Sequence, residues 1–427
     1  IYKTSVGEAY FTSPSISNFS RGNWAPVTAD YETVDADVRA ALAAWPDGNL
    51  VVRQGGLWSI GAIHKAQSGG GGGPGPDPGP GTPTPPVEPV IRPEDFGAVG
   101  DGVADDTSAL QAAFDAVGSG TVLLTPGKVY NHSSVLSISS GNINGSGYRS
   151  GTSVVGAGRI HSTVQETSAV FFLNDASAYG VVFSSNATSR GVTFEMMKVI
   201  LFTGNGNVLH EVEVDNSHAA GIFIEAASNY TIRRCIVKNN KADGIHSSGG
   251  ANNGLITDPY LENVGDDGVA VVTYGGQSMC ENIVVERPVV RGGNARGVTV
   301  VGGRNITFTD IDVADTKFAG IYLSCEREYN TEDTTNVTID GGFIRGAAYA
   351  SGHPSILFYN SNGLIANCHI SNLTVYDTAG SGNAHISAYA SPITGCSVEH
   401  IRVSAAQRDY LVYDPESVLT VVDVGYI

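Results

Sequence analysis

Three aspartates that lie one short repeat apart are the strongest candidates for chemistry in this chain of 427 residues. Asp243 precedes Gly244, and the pair Asp266-Asp267 precedes Gly268. If the two glycines stack on neighbouring coils, the three carboxylates converge and each raises the pKa of its neighbours. Glycoside hydrolysis uses such a set, because one carboxyl must stay protonated for the leaving oxygen while another stays ionised to activate water. The alternative is that Asp and Gly are simply turn residues here.

A repeat of about this length is what would position the carboxylates. Five glycines open apolar strands, and successive ones are 23, 24, 29 and 23 residues apart. They are Gly221, Gly244, Gly268, Gly297 and Gly320. One such unit cannot bury its apolar face alone, whereas stacked neighbours bury a continuous core. Alternation within each strand sends half of the side chains outward, in ladders with ~4.8 Å between rungs. We therefore predict an all-β solenoid of stacked coils.

Asparagines mark a second position in the repeat. Asn229, Asn282, Asn305 and Asn336 each precede a β-branched run. Three of them begin an Asn-x-Thr sequence, but we interpret them as turn residues beside β-preferring threonines rather than as glycosylation sites.

A short amphipathic helix is predicted before the strands begin. Leu110, Ala113, Phe114 and Val117 fall on one helical face, and Asp105 or Asp106 can cap the helix start. An open coil of strands exposes its first rung, so we expect this helix to cover that end.

Composition divides the chain into four segments. Residues 69–90 are rich in Gly and Pro and form a linker. Residues 1–68 form a small α+β module, with a helix over 35–45 and strands over 49–53 and 57–61. We expect residues 91–334 to form the solenoid with the catalytic face, and residues 335–427 to form later coils and a candidate oligomerisation end.

Charge, hydropathy and cysteine content exclude several classes of function. The net charge of −18 argues against a nucleic-acid partner and against anionic membrane surfaces. No apolar run is long enough to insert across a bilayer. The five cysteines are widely separated, which predicts free buried side chains, suited to folding in a reducing cytoplasm, rather than disulfides or a metal cluster.

The segment 95–114 resembles the N-terminal signature of right-handed parallel β-helix carbohydrate enzymes. This superfamily includes pectate-lyase-like proteins, polygalacturonases, mannuronan epimerases and phage tailspikes. The resemblance implies a right-handed parallel β-helix. A small module tethered to such a helix is the layout of a tailspike, which implies docking of residues 1–68 on a virion or baseplate protein and a homotrimer. Alternatives for the module are carbohydrate binding and assembly.

Residues 239–245 and 264–270 are similar to the Asn-Thr-Asp-Gly and Gly-Asp-Asp-Cys motifs of polygalacturonases. This resemblance implies that Asp266 is the general acid and that Asp243 and Asp267 activate the hydrolytic water. It also implies inversion at the anomeric carbon, for which acid and base carboxyls stand ~6.5–9.5 Å apart.

The chain departs from the polygalacturonase pattern in the motifs that follow. Arg296 stands where that family has the histidine of Gly-His-Gly, and residues 320–324 lack the cations of its Arg-Ile-Lys motif. These differences predict a glycan other than pectin. The candidate substrate-binding residues are Arg296, Tyr322, His246, Tyr274 and Lys317. Arg296 has three candidate roles, namely a sugar contact, a salt bridge to Asp267, and the base of a lyase.

The expected function is a tailspike-like depolymerase that hydrolyses a bacterial surface polysaccharide without a cofactor or metal. Its expected location is a phage virion tail or, alternatively, the extracellular medium. One alternative is a polysaccharide lyase with Arg296 as the base and Ca²⁺ bound by carboxylates. Another is a spike that binds glycan or has only a structural role. Glu326 and Glu328 are a reserve carboxylate pair.

Overall fold

The computed structural model describes residues 2–4, 7–12, 48–54, 57–63, 83–376, 378, 384–389, 392–404, 409–413 and 419–427. The chain divides into two compact units, Ile1–Pro76 and Asp77–Ile427. This division falls within the segment expected to be a linker.

The first unit contains an antiparallel sheet. Its four strands are β1 (Tyr2–Thr4), β2 (Gly7–Thr12), β3 (Gly48–Gln54) and β4 (Leu57–Ile63), paired in that order. The strands β3 and β4 confirm the two that the sequence predicts over 49–53 and 57–61. The helix expected over 35–45 lies outside the described residues.

The second unit is built almost entirely from short strands. It has one α-helix, α1 (Thr107–Ala116), and two 3-10 turns, Pro93–Phe96 and Phe194–Met196, among the residues that the structure describes. Its strands in chain order are β5 (Val90–Ile91), β6 (Asp101–Asp105), β7 (Thr121–Leu123), β8 (Val129–His132), β9 (Leu136–Ile138), β10 (Asn142–Asn144), β11 (Tyr148–Ser150), β12 (Ser153–Val155), β13 (Arg159–Ser162), β14 (Val170–Phe172), β15 (Ser177–Tyr179), β16 (Val182–Ser185), β17 (Val199–Phe202), β18 (Val208–His210), β19 (Glu213–Asp215), β20 (Ile222–Glu225), β21 (Thr231–Arg233), β22 (Ile236–Lys238), β23 (Ile245–Ser248), β24 (Asn252–Thr257), β25 (Tyr260–Val264), β26 (Val269–Val272), β27 (Glu281–Glu286), β28 (Val289–Gly293), β29 (Val298–Val301), β30 (Gly303–Thr316), β31 (Ile321–Cys325), β32 (Thr334–Arg345), β33 (Ile356–Asn360), β34 (Ile365–Ala366), β35 (His369–Tyr376), β36 (Ala384–Tyr389), β37 (Ile393–Thr394), β38 (Cys396–Glu399), β39 (Arg402–Val403), β40 (Asp409–Tyr413), β41 (Leu419–Val422) and β42 (Gly425–Tyr426).

These strands stack as three parallel ladders around one apolar core. One ladder is an eleven-stranded sheet that runs β9-β14-β17-β20-β23-β26-β29-β31-β33-β36-β40. The other two begin β5-β7-β10-β15 and β6-β8-β13-β16, and both pass through the long strand β30. The second unit is therefore a right-handed parallel β-helix, as expected.

The aligned glycines set the register of the eleven-stranded sheet. The strands that follow them are in register, since Ile222 pairs with Ile245, Ile245 with Val269, and Val269 with Val298. A Cβ on Gly244 would lie 2.2 Å from Leu261 Cδ2, so only glycine lets this strand approach the neighbouring ladder. The repeat that the sequence predicts thus corresponds to one coil.

The repeated asparagines confirm the turn prediction. Asn282, Asn305 and Asn336 have φ between 55° and 56°, a left-handed conformation that asparagine tolerates. Each side chain donates to the previous one: Asn305 Nδ2 lies 3.0 Å from Asn282 Oδ1, and Asn336 Nδ2 lies 3.0 Å from Asn305 Oδ1. This ladder of amides holds successive coils together at one corner.

Helix α1 covers the first rung of the core, as expected. It buries Leu110, Ala113 and Phe114. Its N-cap residue, Asp106, instead accepts hydrogen bonds from two loop amides, while Asp105 Oδ1 accepts from the Thr107 amide at 3.0 Å. In the described part of the chain, no helix combines the length and the hydropathy that crossing a bilayer requires.

The cysteines lie inside the coils. Cys235, Cys280, Cys325, Cys368 and Cys396 are free and fully buried, which confirms their predicted role as small core side chains.

Candidate active site

The three aspartates converge on the eleven-stranded sheet. Asp243 and Asp267 occupy equivalent positions on neighbouring coils, and the amide of Gly244 donates to Asp267 O at 2.9 Å. One carboxylate oxygen from each of Asp243, Asp266 and Asp267 lies within 4.8 Å of the others. Convergence is therefore confirmed; this limit joins one oxygen of each residue, whereas the ~6.5–9.5 Å of an inverting pair is the separation of whole carboxyl groups. Equivalent side chains on adjacent rungs start about 4.8 Å apart, so they reach a larger distance only by splaying.

Asp243 is held ionised by its neighbours. Burial raises its pKa, but the hydrogen bond and charge of His246 oppose burial, and the net shift is downward. His246 Nδ1 donates to Asp243 Oδ2 at 2.6 Å, and the amide of Asp267 donates to Asp243 Oδ1 at 2.9 Å. The imidazole stacks on Phe223 with ring centroids 5.0 Å apart, which fixes its orientation.

The pKa values of Asp266 and Asp267 are raised, in contrast to that of Asp243. Burial, with a further contribution from the charges of Asp243 and Asp266, raises the pKa of Asp267 to about 7 against the opposing charge of Arg296. Burial and the charge of Asp243 also raise the pKa of Asp266. Asp267 is only 6% exposed, whereas the Asp266 side chain is 27% exposed. Asp267 therefore keeps a proton up to about pH 7, beside the ionised Asp243.

Replacing His246 by alanine tests whether this histidine keeps Asp243 ionised. Without its hydrogen bond and charge, the pKa of Asp243 rises, so the acidic limb of the kcat/KM profile should move to higher pH by about one unit. The measurement is the pH profile of kcat/KM for the variant and the native protein. If the acidic limb does not move, Asp243 is not the ionised group that this limb reports.

Arg296 lies deep in the site between acidic and aromatic side chains. Its guanidinium carbon is 4.3 Å from the centroid of the Tyr322 ring. Its Nη atoms lie 3.7 Å from Asp267 Oδ1 and 3.6 Å from Glu326 Oε1. Burial lowers the pKa of Arg296, but the surrounding acidic groups raise it by more, so the net shift of the pKa is upward. A guanidinium in this setting binds anions and holds its proton, which disfavours its use as a lyase base.

A cavity of about 200 Å³ opens over these groups. It is lined by Arg190, Asp243, His246, Asp266, Asp267, Ala270, Val272, Tyr274, Arg296, Val301, Glu326, Tyr329 and Thr331. His246, Tyr274 and Arg296 thus lie where the sequence places substrate-binding residues. A second cavity of about 930 Å³ shares Arg296, Glu326 and Tyr329 with the first and extends to Tyr359 and Pro392. The two together suit several units of a polymer.

Two predicted substrate-binding residues do not line the cavity. Tyr322 is only 3% exposed and lies beneath Arg296, where its hydroxyl donates to Glu326 Oε1 at 2.7 Å. It therefore supports the site rather than contacting a sugar. Lys317 Nζ lies 5.9 Å from the Phe318 ring centroid and 3.4 Å from Asn294 Oδ1, beside the cavity. Both predictions took an aligned sequence position to imply an exposed side chain at the site.

Arg190 is a site residue that the sequence analysis missed. It lies in the irregular segment between β16 and β17, and its Nη2 is 2.7 Å from Asp266 Oδ2. The sequence signal was the length of this non-repeating insertion, since loops between regular coils carry functional side chains. Glu326, from the reserve pair, faces Arg296 in the first cavity, and Glu328 lines the second.

The carboxylate trio is a poor fit for a Ca²⁺ ion. Oxygen ligands from three aspartates suit this cation. However, the Arg190 guanidinium is 2.7 Å from Asp266 and that of Arg296 is 3.7 Å from Asp267, so two positive charges already face the trio. A divalent cation here would have to displace Arg190.

Comparison with known proteins relates this architecture to enzymes that act on polysaccharides. A depolymerase of Klebsiella phage K64-1, specific for capsule K30/K69, is 25% identical over 179 residues, which are 42% of this chain. The chain matches only 22% of the length of that relative.

Solved structures share the fold at low sequence identity. The catalytic unit of an α-1,3-glucanase of family GH87 from Streptomyces thermodiastaticus has a TM-score of 0.62 and 17% identity, covering 80% of this chain and 69% of that one. The ORF18 protein of Geobacillus virus E2 has a TM-score of 0.54 and 14% identity, covering 89% and 68%. The A-module of the Azotobacter vinelandii mannuronan C-5 epimerase AlgE4 has a TM-score of 0.51 and 15% identity, covering 77% and 99%.

A family model described as rhamnogalacturonase A/epimerase, pectate lyase-like, matches residues 91–322, which hold the carboxylate trio and Arg296. The chain therefore belongs to this pectate-lyase-like family.

Proposed function

We propose that this protein is a glycan depolymerase that hydrolyses a bacterial surface polysaccharide by carboxylate acid/base catalysis. The observation that carries the proposal is the contrast within the trio. Asp243 has a lowered pKa, while Asp266 and Asp267, a few ångströms away, have raised ones. An environment that shifts the pKa values of neighbouring carboxyls in opposite directions is typical of acid and base pairs in glycosidases.

The positions of the three carboxyls suggest their roles. Asp266 is the most exposed of them and faces the cavity, so we assign it donation of a proton to the leaving oxygen. Asp243, the ionised carboxylate, then removes a proton from a water that Asp267 helps to hold and activate, and this water attacks the anomeric carbon in a single displacement with inversion. Protonation of the leaving oxygen and removal of a proton from water balance, since one proton enters and one leaves the trio.

Arg296 is assigned to substrate binding and to charge balance. Its guanidinium offsets part of the negative charge of Asp267 and borders both cavities. Its remaining N–H groups can bind hydroxyl or acidic groups of a sugar. Tyr274, which is 37% exposed, and Tyr329, which is 58% exposed, offer aromatic surface on which sugar rings can stack.

A phage tail is the proposed setting. The relative from Klebsiella phage K64-1 and the structural similarity to a Geobacillus virus protein support this context. Within it, residues 1–68 would attach the enzyme to a virion or baseplate protein, and the β-helix would assemble as a homotrimer. Co-sedimentation of the protein with virions, lost on deletion of residues 1–68, would test attachment, and light scattering of the full chain would test the trimer.

Incubation with a panel of purified capsules and O-antigens tests the proposed reaction. We expect one polysaccharide to be cut into oligosaccharides with new reducing ends, at a rate that a chelator does not change. NMR of fresh product should show the inverted anomer first.

A lyase would give a different result from the same panel. Its product would carry an unsaturated sugar that absorbs in the near ultraviolet, and a Ca²⁺-dependent site would lose activity on chelation. Either observation would overturn the hydrolytic mechanism. Binding of intact glycan without cleavage by the native protein would instead identify a binding spike.

A further inference from the structure

Arg190 reaches the acid site from a distant part of the β-helix. It belongs to the irregular segment 186–198, which precedes β17, whereas Asp266 precedes β26, three coils further along. The Arg190 side chain is 53% exposed, and its Nη2 lies 2.7 Å from Asp266 Oδ2. The residue thus places a largely solvated guanidinium over the carboxyl that we assign as the proton donor.

The position of Arg190 does not depend on this ion pair alone. The neighbouring amide of Gly191 donates to His218 O at 2.5 Å. The ring of Phe194 packs edge-on against Phe223, with centroids 5.4 Å apart. Backbone and apolar contacts therefore hold the segment against the sheet, so Arg190 is supplied to the cavity by the fold.

The two guanidinium groups of the cavity differ in exposure: the Arg190 side chain is 53% exposed and that of Arg296 24%, and within residues 83–376 the buried Arg296 Nε also has no hydrogen-bond partner. Arg296 is stacked on Tyr322 and faces carboxylates on two sides. Arg190 faces one carboxylate, and within residues 83–376 no second acceptor lies within hydrogen-bonding distance of its guanidinium. Arg190 therefore retains donors that can bind a ligand entering from solvent.

Proton donation and the ion pair place opposite demands on Asp266, because a general acid must be protonated whereas a guanidinium 2.7 Å away favours the ionised carboxylate. An aspartate that donates a proton to a glycosidic oxygen must direct its carboxyl at that oxygen, and here Asp266 Oδ2 contacts Arg190 instead. A productive complex is therefore easier to form if the substrate offers Arg190 a replacement anion. A carboxylate fits best, because it can accept two parallel hydrogen bonds from a guanidinium.

We propose that Arg190 is a specificity residue that binds a carboxylate of an acidic sugar beside the scissile bond and releases Asp266 in exchange. This inference rests on the proposed glycan depolymerase and deepens it by naming the class of substrate, a glycan with carboxylate groups. A neutral glycan leaves Arg190 on Asp266 and is cut slowly.

The test compares one cleaved polysaccharide with its carboxyl-reduced form, in which each carboxylate has become a primary alcohol. The native protein should lose at least about tenfold in kcat/KM on reduction of the substrate, which is the size expected for one charge-assisted hydrogen bond. Arg190→Gln should lose a similar factor on the native polysaccharide, largely through KM, and should cut both forms at nearly equal rates. Arg190→Lys should keep part of the preference, because it keeps the charge.

A matched control removes an arginine with a similar ion pair elsewhere. Arg304 is about half exposed and contacts Glu281, with Nε 2.9 Å from Oε2, on a different ladder. Arg304→Gln should behave as the native protein on both substrates. If Arg190→Gln keeps the full preference for the native polysaccharide, or if the native protein shows no preference, the inference is wrong.

Binding of monosaccharides separates this inference from the proposed function. By NMR titration, D-glucuronate or D-galacturonate should bind more tightly than D-glucose or D-galactose, and Arg190→Gln should remove the difference. A preference that persists in a protein that cuts no polysaccharide would refute hydrolysis and retain the role of Arg190. Equal binding of uronates and neutral sugars would overturn the role of Arg190 even if cleavage occurs.

Discussion

Replacement of Asp266 by asparagine is expected to reduce glycan cleavage roughly 10³-fold, as for removal of a general acid. Asparagine has nearly the same shape and cannot donate an acidic proton to the leaving oxygen. The lost contact to Arg190 is partly exposed, and such pairs contribute little to the free energy of unfolding, so the variant should stay folded within about 1 kcal/mol. The measurements are kcat on the cleaved polysaccharide and urea unfolding.

The matched control for this variant is Asp258→Asn. Asp258 is also paired with an arginine, Arg287, whose Nε lies 2.7 Å from Asp258 Oδ1, but it lies at a turn between β24 and β25, away from the cavity. Its replacement should leave kcat unchanged. An Asp266→Asn protein with full activity would show that the proton donor is another group.

Replacement of Asp267 by asparagine is expected to remove activity and to stabilise the fold. Water activation would weaken, and cleavage should fall by about two to three orders of magnitude. Stability changes in the other direction, because the pKa of Asp267 is raised to about 7 in the folded state, above the ~3.9 of an unfolded chain. The asparagine side-chain oxygen can still accept a hydrogen bond from the backbone amide of Arg296, whose nitrogen lies 2.9 Å from Asp267 Oδ1 in the native protein.

The pH dependence gives the sign of this stability effect. Between about pH 4 and pH 7 the folded protein keeps a proton that the unfolded chain releases, so the free energy of unfolding falls as pH rises. The Asp267→Asn variant does not lose stability in this way. Its free energy of unfolding should therefore exceed that of the native protein by an amount that grows through this pH window, to roughly 1–3 kcal/mol at pH 8. Urea unfolding at pH 4 and pH 8 measures it. An advantage that shrinks with rising pH would mean that Asp267 is not held protonated by burial.

Asp258→Asn supplies a control of opposite sign. The pKa of Asp258 is lowered, since the hydrogen bond and charge of Arg287 outweigh the effect of burial. Its carboxylate therefore stabilises the fold above its unfolded pKa, and that contribution is lost as pH falls through the folded one. The variant should be less stable than the native protein at pH 8.

The sequence predicted the coil and the convergence of the acids because both follow from periodicity. Gly244 and Gly268 open equivalent strands, so Asp243 and Asp267 before them must occupy equivalent positions on adjacent rungs. Rung spacing also sets how far apart Asp243 and Asp267 can stand, because equivalent side chains on adjacent rungs begin about 4.8 Å from each other. Local turn preference likewise sufficed for the asparagine ladder.

The rest of the site depends on contacts that periodicity does not encode. Arg190 arrives from an insertion without a repeat, and nothing in its neighbouring residues indicates that its partner is Asp266. Tyr322 occupies an outward position, as alternation requires, yet Arg296 and the ring of His353, whose centroid lies 6.3 Å away, cover it. Whether an outward residue meets solvent is decided by loops, whose conformations the strand pattern leaves open.

Cleavage in water enriched in ¹⁸O tests most directly whether the carboxylate trio hydrolyses glycan. With the native protein, mass spectrometry should find one ¹⁸O atom at each new reducing end, and the Asp266→Asn and Asp267→Asn variants should form this labelled product far more slowly. Fragments that form at the native rate without the label, or labelled product from the variants at the native rate, would contradict the account.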